Sequence, residues 1–157
     1  MQAQERRART VKEVMERTGI DEALIERLVR RFYDKVQKDH LLGPVFDARI
    51  DDWESHLQQM FAFWSSVALM SGRYHGRPME KHAILPVDSR HFDRWLALFG
   101  ETAREVCPPA AAEHFLERAN RIAESLELGI AIKNGILLSR GERLLRLDHE
   151  LTLSAAD

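Results

Sequence analysis

Eight glycines and five prolines are all that punctuate this chain of 157 residues. They fall at intervals that leave helix-length pieces between them. Inside the pieces, apolar residues recur every three or four positions, which lines up one face of a helix and not of a strand. The expected fold class is therefore all-α.

The pieces can be read in order. Thr10 to about Thr18 forms a first helix, stopped by Gly19, a residue suited to the position just beyond a helix end. Asp21 caps a second helix, with Leu24, Ile25, Leu28, Val29, Phe32 and Val36 on its apolar stripe, and the Gly43-Pro44 turn lies beyond its end. A short connection through Val45 and Phe46 leads to a third helix, capped by Asp51 or Asp52 and running to Ser71-Gly72. Arg73 to Pro78 reads as loop. Pro78 and Pro86 bound a short helix, Met79 to Leu85, that carries His82. Asp88 caps the next helix, with Phe92, Trp95, Leu96, Phe99 and Val106 inward, and Pro108-Pro109 breaks it. A last long helix runs from about Pro109 to Ile130, with Phe115, Ile122 and Leu126 on one face. Beyond it, Ser139-Arg140-Gly141-Glu142 reads as a hairpin turn or as a break between helical pieces. This tail is expected to lie loosely on the domain or to be disordered, with docking on a second subunit as the alternative.

Composition narrows the function classes. Lysine and arginine number 23 against 25 aspartates and glutamates, so no basic excess points to a nucleic-acid partner. The lone cysteine, Cys107, excludes an intrachain disulfide and any multi-cysteine metal site, and fits a reducing cytoplasm. No apolar run approaches the roughly 18 residues of a membrane span, and the first residues lack the apolar stretch of a signal peptide. A cytoplasmic protein without a membrane partner is expected.

Familiar catalytic templates fail for lack of parts. The seven histidines include no His-Glu-x-x-His pair, and neither Glu54 nor Glu80 has a histidine three residues on. Phosphate-binding and dinucleotide fingerprints are absent, as is a serine nucleophile elbow. What remains is a box of large apolar side chains with a few polar groups on the same faces. His56, Met60, Phe63, Trp64 and Val67 share one stripe of the third helix, and a histidine in such a stripe is costly without a partner. Tyr33 places a phenol beside the core-facing row of the second helix. His82 sits on a helix whose ends are fixed by proline. An apolar slot for a flat metal-bearing cofactor suits these parts, with one imidazole on the metal and donors on the opposite side; haem fits that description. The plainer reading of each residue stays open. A lone histidine is more often core or surface than ligand, Tyr33 can bury its ring against a carbonyl, and Phe63, Trp64 and Trp95 can be ordinary core. His40, His75, His114 and His149 stand in polar contexts and are expected to be solvated.

Several fragments then point to one family. Arg31-Phe32-Tyr33-Asp34-Lys35-Val36 is followed by Asp39 and Leu42-Gly43-Pro44-Val45-Phe46. After these come Trp53-Glu54-Ser55-His56-Leu57, Phe63-Trp64, Tyr74-His75-Gly76-Arg77-Pro78, His82 and His91-Phe92-Asp93-Arg94-Trp95-Leu96-Ala97-Leu98-Phe99. In this order and spacing, from about residue 21 to 130, the chain resembles the truncated haemoglobins, and specifically their group III branch. Like that branch, it has no Gly-Gly pair. The resemblance implies a two-over-two helical sandwich enclosing haem b. It implies a truncated globin domain over 21–130, with an N-terminal helical extension over 1–20 and a C-terminal tail of uncertain structure over 131–157.

Residue by residue, the resemblance makes His82 the iron ligand. Tyr33, His56 and Trp95 become the groups that act on the bound ligand. The implied cofactor-binding set is Phe32, Phe46, Met60, Trp64, Tyr74, Arg77, His82, His91 and Phe99, with Tyr74, Arg77 and His91 as candidates for the propionates. Tyr33 and Trp95 each carry a donor, and several donors around dioxygen would hold it tightly. That favours oxygen, nitric oxide or peroxide chemistry over oxygen transport, with O2, NO and CO as ligands. A nitric oxide dioxygenase-like or peroxidase-like activity would need a separate reductase. A ligand sensor or scavenger acting through a protein partner is the alternative, and a globin-like helical module without haem is a third class. A monomer or homodimer is expected.

Overall fold

The computed structural model describes residues 2–76 and 85–145. Helix α1 spans Gln2–Thr18, α2 Glu22–Lys38, α3 Leu42–Asp47, α4 Trp53–Leu69, α5 Ser89–Val106 and α6 Pro109–Lys133. There is no strand among the described residues. Most of the short helix expected over Met79–Leu85 lies outside them.

The helix starts follow their caps. Asp21 accepts the Leu24 N–H at 2.8 Å, and it is Asp52 that accepts the Ser55 N–H, at 3.2 Å. Asp88 accepts the Arg90 N–H at 3.0 Å, while its own N–H donates to His91 Nδ1 at 3.1 Å. Each such bond satisfies a donor that the helix leaves unpaired. Gly19 ends α1 at φ +77°, where a side chain would strain the backbone.

Two elements differ from the sequence expectation. Helix α1 begins at Gln2, not Thr10, because its first two turns are polar all round and carry no apolar period to read. The connection through Val45 and Phe46 is the helix α3, with Pro44 inside it. Pro44 is the third residue of that helix, where an N–H has no partner to lose. Gly43 is needed there for another reason: a Cβ would sit 2.8 Å from the Gln37 carbonyl oxygen.

Helices α2 and α4 pack together as one layer, and α5 and α6 as the other. Between layers, α2 crosses α5 and α4 meets α6. The main core fills this sandwich, with Phe32, Trp64, Phe99 and Phe115 all but inaccessible. Helix α1 packs on α4 and α6 and contributes Val14 to the same core. A second apolar cluster gathers Val87, Phe92, Ala123, Ile130, Ala131 and Leu144. Leu144 belongs to the tail and is 1% exposed, so the tail is anchored at this point, while Leu137 and Leu145 stand exposed. The segment Ser139–Glu142 resolves as a turn, closed by the Glu142 N–H on the Ser139 carbonyl at 2.9 Å, with Gly141 at φ +86°. Among the described residues no helix is long and apolar enough to cross a membrane.

Candidate functional site

A cavity of about 460 Å³ lies between the two layers. Tyr33 of α2, Val45 and Phe46 of α3, and His56, Met60, Phe63 and Trp64 of α4 form one side. His91, Phe92 and Trp95 of α5 and Ile122, Ala123 and Leu126 of α6 form the other, with Tyr74, Leu85 and Val87 between. Arg49 and Gln59 also line it and are exposed, so they mark where it meets solvent. The wall draws on both apolar clusters, which is why the interior divides in two around it.

Tyr33 and His56 meet at one end. Their rings are edge-on with centroids 5.2 Å apart. Trp53 packs edge-on to His56 at 5.7 Å, and Phe46 stands edge-on to Tyr33 at 5.8 Å. Tyr33 is 4% exposed, and burial pushes its phenol well above the ordinary range. It therefore stays neutral and keeps its O–H as a donor at physiological pH.

Trp95 lines the cavity from α5 as the outer member of an aromatic stack. Its ring lies 5.4 Å from Phe99 at an interplanar angle of 7°, and Phe99 stacks on Trp64 at 4.8 Å. Phe32 meets Phe99 edge-on at 5.2 Å. Phe32 and Phe99, expected against the cofactor, thus stand behind the wall rather than on it. Phe99 shares the stripe of Trp95 but lies one turn further along α5. Phe32, next to Tyr33, is turned by about 100° around the helix, toward α5. Their contact is with the tryptophans and tyrosine that do face the cavity.

Phe46, Met60, Trp64, Tyr74 and His91 all reach the lining. The loop carrying Tyr74 is pinned from two sides. The Tyr74 N–H donates to Ser66 Oγ at 2.8 Å. Buried Ser65 donates to Glu22 Oε2 at 2.8 Å, and Glu22 Oε1 pairs with Arg73 at 2.9 Å. His91 Nδ1 is engaged by the α5 cap, 3.1 Å from the Asp88 N–H and 3.3 Å from Asp88 Oδ1. Arg77 and His82 lie outside the described residues. Of the histidines expected to be solvated, His114 instead donates from Nε2 to the Ala68 carbonyl at 2.8 Å and ties α6 to the end of α4. Arg49, Gln59 and the α6 wall carry no sequence signal that marks them as site residues. Ile122 and Leu126 read as an apolar pair, but a cavity wall and a packed core leave the same spacing.

The residues present fit a haem group. The volume falls within the roughly 300–1,000 Å³ of small-molecule sites. The lining is mostly aromatic and aliphatic with few polar groups, and donors come from three different helices.

Comparison with known proteins agrees. Residues 13–127 match the family described as bacterial-like globin. The group 3 truncated hemoglobin ctb of Campylobacter jejuni is 34% identical over 113 residues, covering 69% of this chain and 89% of that one. The crystal structure of the group III truncated hemoglobin from Campylobacter jejuni superposes with a TM-score of 0.65 at 33% identity, over 78% of this chain and 95% of the other. The group 2 truncated hemoglobin YjbI of Bacillus subtilis is 25% identical over 100 residues, 62% of this chain and 76% of its own. The chain belongs to the bacterial-like globins and, within them, to the group III truncated haemoglobins. Membership implies a haem group and a diatomic ligand.

Proposed function

We propose that the protein binds haem b and uses it on dioxygen, nitric oxide or peroxide rather than for oxygen transport. The observation that carries this reading is the convergence of Tyr33, His56 and Trp95, from three helices, on one apolar cavity of about 460 Å³. Haem held there supplies an iron that takes a diatomic ligand and lends it electron density. The chain's own residues do the rest. His82 is the metal ligand by family resemblance. Met60, Phe46 and Trp64 would exclude water from a haem held there, and Arg49, Tyr74 and His91 are polar residues of the lining that would be available to its carboxylates. A neutral Tyr33 would offer its O–H to a bound ligand, and the Trp95 indole can only donate. Two donors on one small acceptor favour retention, so slow release is expected, which suits chemistry on the ligand and not delivery. The single cysteine, Cys107, is buried away from the cavity lining, which supports a haem held without thioether links. Turnover would draw electrons from a separate reductase in a reducing cytoplasm.

The deciding measurement is the absorption spectrum of the purified, haem-reconstituted protein in ferric, ferrous and carbonmonoxy states. A Soret band that moves on reduction and again with carbon monoxide is expected; its absence overturns the reading. His82→Ala should weaken haem retention, with partial recovery in free imidazole. Nitric oxide or peroxide consumption with a chemical reductant then separates turnover from ligand sensing or scavenging.

A further inference from the structure

The described tail returns to the cavity. Gly135 at φ +77° and the Ser139–Glu142 turn reverse the chain, and Arg143 and Leu144 come back onto α5 and α6. Leu144 is buried in the cluster it shares with Val87, Phe92, Ala123, Ile130 and Ala131. Its carbonyl accepts the N–H of Ser89, the first residue of α5, at 2.7 Å, and its N–H donates to Glu127 Oε2 at 3.0 Å. Arg143 grips both Glu127 oxygens, Nε to Oε2 and Nη2 to Oε1, each at 2.8 Å. Nη2 also reaches Asp93 Oδ1 at 2.8 Å. Glu127 is only 5% exposed, and a buried carboxylate is costly unless it is paired and bonded in this way. Two of the residues the tail holds directly follow a wall residue, Asp93 after Phe92 and Glu127 after Leu126, and Ser89 lies two positions from both Val87 and His91. The family match ends at residue 127, so Arg143 and Leu144 lie beyond it.

We propose that Arg143 is a positioning residue of the cavity. By bridging Glu127 and Asp93 and seating Leu144 beneath the start of α5, it locks α5 and α6 together as the one wall that closes this side of the cavity and retains the prosthetic group. The retention half rests on the haem reading; the holding of α5 against α6 does not.

Two measurements on the full chain test this, in wild type, Arg143→Ala and Arg143→Lys. The first is amide hydrogen exchange. Arg143→Ala should speed exchange over residues 87–93 and 123–130 by tenfold or more while α2 and α4 keep their protection. The second is transfer of haem to an excess of a haem-accepting apoglobin. Loss of a charge-assisted pair should speed it roughly ten- to a hundredfold. Lysine keeps the charge but not the two-pronged fork, so it should recover part of both effects. Exchange that rises evenly over all helices makes Arg143 a general stability residue and overturns the proposal. Local loosening with unchanged haem transfer overturns it as well. A wild type without a Soret band would sink the haem reading alone, and the exchange pattern would still decide whether Arg143 holds α5 to α6. If Arg143→Ala does not fold, Glu127→Gln, with Arg143 in place, is read by the same two measurements.

Discussion

Tyr33 is the residue where environment sets chemistry most clearly. Burial among Phe32, Phe46 and His56 keeps its phenol neutral, so removing one oxygen atom removes a donor and little volume. A hydrogen bond to a charged acceptor is worth ~1.5–3 kcal/mol. Tyr33→Phe should therefore speed dioxygen release by roughly ten- to a hundredfold. Carbon monoxide gains far less charge and should leave at nearly the same rate as before. Trp95→Phe removes a second donor to the same acceptor, so the double variant should be non-additive. Stopped-flow dissociation of both gases from the three variants checks this. Equal acceleration for both gases would reduce Tyr33 and Trp95 to packing residues. The polar character of these positions is legible in the sequence: His56 is a polar tip on an apolar stripe, and Tyr33 stands beside one. Phe32 and Phe99 show why such reading stops short, since a stripe tells which face is inward but not how far along it the cavity ends.

At the scale of elements, polar pairs at helix ends set how the helices meet. Asp39, just past α2, accepts the Leu41 and Leu42 N–H groups at 3.1 and 3.0 Å and Arg94 Nε of α5 at 2.6 Å. Burial opposes its ionisation, but the Leu42 N–H and the Arg94 guanidinium outweigh that and hold its carboxyl below the ordinary range. Asp39→Ala strips three donors of their acceptor and should cost about 1–3 kcal/mol, read as a lowered midpoint in urea melts with the slope unchanged. A midpoint within error of wild type would show that water replaces the carboxylate at no cost.

A second pair ties α2 to α4. Glu54 accepts both Arg30 Nη groups, at 3.1 and 2.8 Å, which with Gln58 lowers its pKa from 4.5 to about 2. A depressed carboxylate stabilises the fold above its unfolded pKa and loses that contribution as pH falls through the folded value. Glu54→Gln should melt below wild type at neutral pH, and the gap should close between pH 4.5 and about 2. Because the pair is exposed, the gap should be small and should shrink in salt. A gap that persists unchanged at pH 2 would place its cause elsewhere.

For the whole molecule, the cavity is the dominant fact. Wall residues from five helical segments point at one space, and the interior is split into two clusters around it. A ligand that binds only the folded chain stabilises it by mass action, by ~2.7 kcal/mol at a hundredfold excess over its Kd. Haem removal should therefore lower the thermal midpoint by several degrees, and calorimetry of the haem-free and haem-loaded protein checks it. Identical midpoints would mean that haem does not bind the folded chain in preference to the unfolded one. Among the described residues, both the first helix and the tail take part in the same body. Val14 of α1 enters the main core, and Leu144 enters the second cluster.

The sequence by itself determined the helices and their faces. Apolar period, Asp21, Asp88 and the breaks at Gly19 and Pro108-Pro109 are local signals, acting within a turn or two of chain. It also carried enough of a family pattern to name the globin class. Tertiary structure decided the rest. Pro44 became helical because α3 places it where no N–H is needed. Polar α1 was lengthened without any apolar period to announce it, and Arg143 found Glu127 and Asp93 across a turn whose outcome the chain left open. Those outcomes depend on groups distant in sequence, and burial, which decides whether a charge is paired or a ring lines a cavity, exists only once the helices have met.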